Sequence, residues 1–461
     1  MNSLIDRDGA LSRGLAEIRV QFGVLASFPT AALAEAELAA ACSVSGHSDW
    51  TDRPFVTLDP EASRDLDQAF FIERAGADLI LHYAIADVAW FVSAEDALDR
   101  EAWERGTTIY MPDGKASLYP GRLSEDAASL LPDVERPSVV FTVRIDQAGK
   151  SSLDAAVRAI IKSRAKLAYE AVKPGDLSPD FADLSKRIEH AEDARGAARV
   201  DAPEQELVVD SAGHFSLDFR PQPEAETRNA ALSLAANLAI ADALLAHRTG
   251  LFRVMAEPDQ WAVNRLRHSA KALGLVWPKH LPLKPFERGL DSANPRHAAF
   301  QAEIRRAGPK ASYAPYQSGI VPWHSAMAAT YAHATAPLRR LADRYVIEAA
   351  LRVANGQAVP EELDAIFQRL PAVMAKAEER AGQVDRATLG LAEAVVLEGR
   401  EGSRFKALVT DVDDRGARIQ LLDPAVIARV DGKGAMPGDA MSVELVNVNV
   451  AHRQVTFERL T

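Results

Sequence analysis

The chain has 461 residues, 48% of them hydrophobic and 26% charged; at roughly 100–200 residues per domain this is an ordinary folded protein of a few domains, not a collagen-like or low-complexity chain. A formal charge of −12 argues against a protein that coats nucleic acid non-specifically, while leaving room for a local basic channel around an acidic metal site. The one cysteine, Cys42, rules out a disulfide framework and a four-cysteine zinc site and points to a reducing, cytoplasmic location.

Residues 1–50 are Ala-rich and read as mostly helical, most clearly in AALAEAELAAACS behind the Pro29-Thr30 start signal. The opening MNSLIDRDGALSRG lacks a continuous apolar core, so no signal peptide is expected. From Thr51 the character changes: FVTLDP, QAFFIE and ADLILHYAIADVAWFV read as strands. Residues 94–106 read as a short helix, Tyr110 to Gly114 as a turn and SVVFTVRID as a strand. Residues 154–200 read as mostly helical with a break at Pro174-Gly175, and ELVVDSAGHFSLDF as strand, turn and strand around Ser211-Ala212-Gly213. Ala230 to Ala246 is a long helix with an apolar face; with Asn237 and Asp242 inside, it is expected to be too short and too polar to span a bilayer. Helices continue to about residue 395. The last sixty residues hold five short strands (RFKALVTDV, ARIQLLD, VIARV, MSVELVNVNV and QVTFERL), the size of an OB-type barrel.

The densest chemistry lies in TLDPEASRDLDQAF, where Asp59, Asp65 and Asp67 follow a D-x5-D-x-D spacing. Asp65 and Asp67 are two apart, so in an extended segment they face the same way. Packed carboxylates repel, and a divalent cation is the usual remedy. Spacing alone leaves open a solvated acidic loop between two strands. A helix–loop–helix calcium loop counted from Asp59 fails, because Arg64 stands where Gly is needed and Phe70 where Glu is needed.

Pro337 followed by Leu338, Leu341 and Tyr345 reads as a helix with proline at its first position, ending near Asn355-Gly356. Arg339 and Arg340 would then sit in its first turn, where cations oppose the helix dipole. Two readings remain open on this evidence: an anion site fit for a phosphate, or a salt bridge such as Arg339 to Asp343.

TLDPEASRDLDQAF resembles the active-site signature of the ribonuclease II (RNB) family of exoribonucleases, roughly T-[IV]-D-P-x4-D-[IL]-D-D-A. Further pieces resemble the family in the same order: LHYAIADVAWFV, GTTIYMPDG, LYPGRLSEDAASLLP, AKLAYEAV and YAHATAPLRRLADRY. The five-strand tail resembles the S1-like RNA-binding domain that ends many members. The resemblance implies an α+β fold: an RNB catalytic domain, a mixed sheet with surrounding helices, over residues 51–395 and an S1-like OB barrel over 399–461, behind a helical segment 1–50. Cold-shock domains of larger members are expected to be absent.

The resemblance also implies Mg²⁺-dependent, processive 3′→5′ hydrolysis of single-stranded RNA to nucleoside 5′-monophosphates, with Mn²⁺ as a substitute metal. No membrane association and no obligate protein partner are expected. By the same resemblance, Asp59, Asp65 and Asp67 match metal-binding and catalytic aspartates, and Arg339 matches the arginine on the scissile phosphate. His333, Thr335 and Arg340 shape the phosphate pocket beside it. Tyr110 matches the loop tyrosine that stacks on the terminal nucleotide, and Tyr169 a second family aromatic.

Departures from the pattern are specific. Gln68 stands at the fourth acidic position; it keeps an oxygen acceptor but loses the charge, so it is expected to be a weaker metal ligand. No ring stands at the family's other clamp position, around Pro203 to Leu207, where Glu204 and Glu206 occur. Ala230 and Ala231 occupy the usual Glu-Glu position, and Asp385 stands where Glu is usual. Gln68 and the missing clamp ring support an alternative: an RNA-binding protein whose nuclease site is weakened or inactive. A third reading, a hydrolase of small phosphodiesters, has no feature in its favour. Asp87, at a strand-to-turn junction, reads as structural.

Overall fold

The computed structural model describes residues 9–25, 27–173, 175–198, 204–209, 215–220, 223–291, 294–413 and 415–460. Helices α1 (Ala10–Gln21) and α2 (Thr30–Ala41) come first, followed by strands β1 (Ser48–Trp50), β2 (Thr57–Asp59), β3 (Gln68–Ala75) and β4 (Asp78–Ala86). Helices α3 (Val88–Phe91) and α4 (Ala97–Arg105) lead to a hairpin of β5 (Ile109–Met111) and β6 (Gly114–Ala116). Long strands β7 (Glu135–Ile145) and β8 (Ser151–Lys162), a short β9 (Lys166–Ala168) and helix α5 (Pro179–Arg195) complete this part.

Next come β10 (Glu204–Val209), β11 (Phe215–Arg220), α6 (Glu224–Ala246), β12 (Leu251–Val254), α7 (Gln260–Ala272), α8 (Leu283–Arg288) and α9 (Pro295–Ala307). After β13 (Ser312–Pro315), β14 (Trp323–His324) and β15 (Ala329–Thr330), two helices follow, α10 (Leu341–Ala354) and α11 (Glu361–Leu397). Strands β16 (Arg404–Asp413), β17 (Gly416–Leu421), β18 (Ile427–Val430), β19 (Ala440–Asn449) and β20 (Gln454–Arg459) end the chain.

The central sheet has the order β1-β8-β7-β4-β3, with β1 parallel to β8 and the other neighbours antiparallel. In β4, Leu79 to Ala86 are all buried, because β3 and β7 flank the strand and helices cover the sheet. The Ala-rich α6 packs against β8, β7 and β4 through small side chains such as Ala231, Ala235 and Ala239, which let it lie close to the strands. The final five strands run antiparallel in the order β18-β17-β16-β19-β20, and β18 touches β20 to nearly close a barrel. The expected α+β class, with a mixed sheet and a five-stranded barrel, is the observed one.

Local expectations failed where tertiary pairing overrode propensity. DAAVRAIIK, the start of the segment read as mostly helical, lies in β8; the strand joins an antiparallel ladder with β7 in which Val143 pairs with Leu153 and Val140 with Val157. VAWF, read as the end of a strand, is the one-turn helix α3. Residues 48–50 form a strand inside the segment read as helical, and Tyr110 to Gly114 belong largely to the β5–β6 hairpin rather than to a free turn. The Pro174 break and the Ser211-Ala212-Gly213 turn lie outside the described residues.

Helix α6 is longer than the sequence suggests and is apolar enough by composition to cross a membrane. More than half of its apolar window, 56%, is buried within this fold, as for a core helix.

Candidate active site

The acidic cluster is held by the core beneath it. Asp59 ends β2, which pairs in parallel with β9 so that Asp59 lies opposite Ala168, and Tyr169 donates its backbone N–H to the Asp59 carbonyl at 3.2 Å. Between Asp65 and Asp67, Leu66 points into the core and is fully buried. Its N–H donates to the Ser129 hydroxyl at 2.9 Å and its carbonyl accepts from Leu130 N at 3.0 Å. The alternation read from D-x-D is therefore real: the leucine is anchored inward and both aspartates line one cleft of about 1040 Å³.

The carboxylates are not ordinary solvated acids. Burial pushes Asp67 up to about 7, against the pull of Arg339 and the Leu338 N–H, with the charge of Asp65 adding to the rise. Burial likewise pushes Asp59 up to about 6, again opposed by Arg339. The solvated-loop reading does not survive this burial.

One loop, 335–340, delivers the opposing positive charge. The Leu338 N–H donates to Asp67 Oδ1 at 2.7 Å, and Arg339 Nε sits 3.2 Å from Asp67 Oδ2. The loop is shaped by Asp343, fully buried, whose Oδ2 accepts from Thr335 N at 3.0 Å and Ala336 N at 2.8 Å. Helix α10 starts at Leu341, so the two arginines precede it instead of filling its first turn. The arginine facing Asp343 is Arg340, with Nη2 2.7 Å from Oδ2, and not Arg339. The 340–343 pairing shapes the loop, and both arginines line the cleft, Arg340 with its guanidinium tied to Asp343. Sequence reasoning gave Asp343 no site role; its place three residues after Arg340 was the available signal.

Arg339 is also tied by its backbone to the next element. Its carbonyl accepts from Thr108 N at 2.9 Å and from the Thr107 hydroxyl at 2.8 Å, and Leu341 N donates to Gly106 O at 3.0 Å. Gly106 has φ of 69°, and a Cβ there would meet the Ala377 Cβ at 2.6 Å, so glycine is required at this turn. The hairpin that follows places Tyr110 opposite Lys115. The Tyr110 hydroxyl donates to Asp65 Oδ2 at 3.0 Å, and Lys115 Nζ lies 2.7 Å from Asp65 Oδ1 and 2.9 Å from Glu125 Oε1. Lys115 was not foreseen: one lysine in a turn-like stretch carries no signal until the register puts it beside Tyr110.

The other expected residues divide. Tyr169 and Thr335 line the cleft, and the Tyr169 hydroxyl accepts from Asn229 Nδ2 at 3.0 Å, which also donates to Leu58 O at 3.2 Å. His333 is not among the residues that line it; its Nδ1 is 2.8 Å from the Tyr313 hydroxyl and its ring packs edge-on against Tyr331. Pro203 lies outside the described residues. Asp87 accepts from Arg158 Nε at 2.7 Å and lies 3.1 Å from His47 Nε2, away from the cleft, in keeping with a structural role.

Gln68 is committed at both ends of its amide. Nε2 donates to Thr335 O at 2.7 Å, while Oε1 accepts from the hydroxyls of Tyr83 and, at 3.1 Å, Ser233. This ties β3 to the loop that carries Arg339. Aspartate there would be one methylene shorter, could not donate to Thr335, and would set a carboxylate near that carbonyl. Gln68→Asp is therefore expected to lower turnover about tenfold and to raise the metal concentration for half-maximal activity. A ligand role predicts the opposite sign, so a metal titration of both proteins at one ionic strength decides between them.

Three carboxylates with hard oxygens suit a divalent cation of the Mg²⁺ type, and the raised values of Asp59 and Asp67 mark negative charge that burial leaves poorly compensated. Among the described residues no three His, Cys, Asp or Glu side chains converge tightly enough to form a ready-made metal site. Lys115 and Arg339 hold oxygens of Asp65 and Asp67 instead. The donor chemistry fits a divalent cation, which would replace Lys115 as the partner of Asp65.

Residues 47–353, well over half of the chain, match the RNB domain, and residues 403–460 match the RNase II-type exonuclease C-terminal S1 domain. The chain belongs to the RNB family. It is 26% identical over 416 residues to a Ribonuclease R of Thermotoga maritima, covering 83% of this chain and 57% of that protein. It is 29% identical over 322 residues to the Ribonuclease R of Escherichia coli, covering 65% of this chain and 39% of that protein. The chain thus spans about half the length of these curated relatives. Its fold is similar to Mycoplasma genitalium RNase R in complex with ribose methylated single-stranded RNA, with a TM-score of 0.87 at 20% identity over 99% of this chain and 79% of that one. It is also similar to yeast Ssd1, described as a pseudonuclease, with a TM-score of 0.67 at 14% identity over 93% of this chain and 56% of that one.

Proposed function

We propose that this protein is a metal-dependent 3′→5′ exoribonuclease that hydrolyses single-stranded RNA to nucleoside 5′-monophosphates. Mg²⁺ is the proposed metal, with Mn²⁺ as a substitute, and a reducing, cytoplasmic compartment the proposed location. The observation that carries this reading is the meeting of Asp59, Asp65, Asp67 and Arg339 in one cleft, delivered by three separate stretches of backbone, with Asp65 and Asp67 sharing one of them. In our division of labour, residues 51–395 form the catalytic unit and 399–461 an RNA-binding barrel.

A divalent cation held by Asp59, Asp65 and Asp67 would supply an activated water and charge relief on the phosphate. Arg339, oriented by Asp67, neutralises charge that develops on the phosphate oxygens. Asp67 thereby serves twice, as a carboxylate of the cluster and as the group that aims the guanidinium. Tyr110 is half exposed, and its ring can stack on a terminal base of any identity; Tyr169, beside Asp59, lines the same cleft. Selection of RNA over DNA falls to contacts with the 2′-OH.

The test is direct: incubate the protein with end-labelled single-stranded RNA and Mg²⁺ and resolve the products. A ladder shrinking from the 3′ end with mononucleotide release supports the proposal. The second reading, an RNA-binding protein with a weakened site, is favoured by the pairing of Asp65 and Asp67 with Lys115 and Arg339. Retained RNA binding with no products would select it. Within the first reading, Tyr110→Ala is expected to change the length of the final undigested RNA, because stacking worth roughly 1–3 kcal/mol per base holds the last nucleotides. An unchanged end-product ladder after exhaustive digestion would remove Tyr110 from the substrate path.

A further inference from the structure

The Tyr110 hairpin rests on a part of the chain to which the RNB match does not extend. Arg19, in the last turn of α1, reaches the tip of the hairpin: Nη1 donates to Asp113 Oδ2 at 2.7 Å and Nη2 to Asp113 Oδ1 at 2.6 Å. This is a two-pronged guanidinium–carboxylate fork, which fixes direction as well as distance. It joins residues 94 apart in sequence. Beneath it, Leu11, Leu15 and Ile18 of α1 form one buried cluster with Ile109, Met111 and Ala116 of the hairpin. That burial pattern leaves Tyr110 and Lys115 on the opposite face, toward Asp65. Helix α1 is itself seated on α11, where a Cβ at Gly14 would meet the Leu391 side chain at 2.5 Å.

We propose that α1 is a positioning element of the site: the Arg19–Asp113 fork holds the Tyr110–Lys115 hairpin over the acidic cluster. The proposal rests on the exonuclease reading for its functional consequence, and on geometry alone for the hold itself. An ion pair this accessible adds little to global stability, so the effect of breaking it is local. A hairpin of three-residue strands has few backbone bonds of its own and depends on what grips it. Without the fork, Tyr110 and Lys115 keep their apolar seat but lose the constraint at the tip that sets their angle to Asp65. The effect belongs on substrate engagement rather than on the bond-breaking step.

The experiment compares wild type, Arg19→Ala, Tyr110→Ala, the double variant Arg19→Ala/Tyr110→Ala and the charge swap Arg19→Asp/Asp113→Arg. In Arg19→Ala, amide hydrogen exchange over residues 109–116 is expected to speed up about tenfold while the core strands are unchanged. KM for a single-stranded RNA should rise about threefold to tenfold with kcat within about twofold. The end-product length should move as in Tyr110→Ala, the double variant should add nothing further, and the charge swap should restore wild-type behaviour. Unchanged hairpin exchange in Arg19→Ala would overturn the proposal. So would exchange that accelerates throughout the chain, or an end-product shift in the double variant that exceeds Tyr110→Ala alone. If the wild-type protein degrades no RNA, the exonuclease reading fails, while the exchange comparison and its reversal by the charge swap still decide whether α1 holds the hairpin.

Discussion

Asp67→Asn is expected to reduce RNA hydrolysis about 100-fold or more while leaving RNA affinity nearly intact. Both carboxylate oxygens of Asp67 are in use, one accepting from the Leu338 N–H and the other facing Arg339 Nε. Asparagine offers one oxygen acceptor and one NH₂ donor, so one of those two donors faces another donor. The carboxylate is lost from the cluster and the aim of Arg339 is lost with it, and the two losses act on the same step. Affinity should hold or tighten, because a buried negative charge is removed from the place where a phosphate is expected to bind. Single-turnover rates and equilibrium binding of one labelled RNA oligonucleotide separate the two effects. A variant that kept more than about a tenth of wild-type turnover would remove Asp67 from the chemistry.

The site was legible in the sequence where residue type and short spacing carry the chemistry. D-x-D with an apolar residue between the carboxylates requires the alternation that Leu66 completes, and Thr335 and Arg339 fall in one loop with the proline between them. The long-range partners were not legible. Nothing local says that the amide of Gln68 will meet Tyr83 and Ser233, 15 and 165 residues away, or Thr335, 267 residues away. Reading Gln68 as a charge-depleted ligand follows from composition; its hydrogen bonds follow from the sheet bringing β4, α6 and the 335–340 loop to one point.

The same limit applies to the fold. The barrel strands were readable because each is short and followed by turn residues, and alternation in GARIQL is visible as buried Ala417, Ile419 and Leu421. In β8 the outcome rests on the partner strand β7, and helix-favouring residues are tolerated because the ladder supplies the backbone bonds. Arg339 and Arg340 were expected together in a first helical turn. Asp343 instead caps the preceding loop through two backbone N–H groups, and with Arg340 drawn onto it the helix begins only at Leu341.

That separation of the two arginines sets the second large effect. Arg339 approaches Asp67 through its Nε, 3.2 Å from Oδ2. Its side chain is 45% exposed, in the wall of the cleft. A guanidinium held at Nε presents both outer groups in a fixed fork, the geometry that phosphate oxygens match. Arg339→Ala is expected to lower the single-turnover rate about 10²–10³-fold, the range for losing one donor aimed at developing charge. Arg339→Lys keeps the charge but replaces the fork with a point donor on a flexible stem, so it should recover only part of that loss. Arg340→Lys acts differently: its guanidinium borders the cleft but is tied to the buried Asp343, so its cost should appear in the thermal midpoint before the rate. The comparison is therefore a crossed one, rate against stability for the two neighbouring arginines. Full activity in Arg339→Lys would mean that charge alone suffices at this position, and the oriented fork would lose its place in the mechanism.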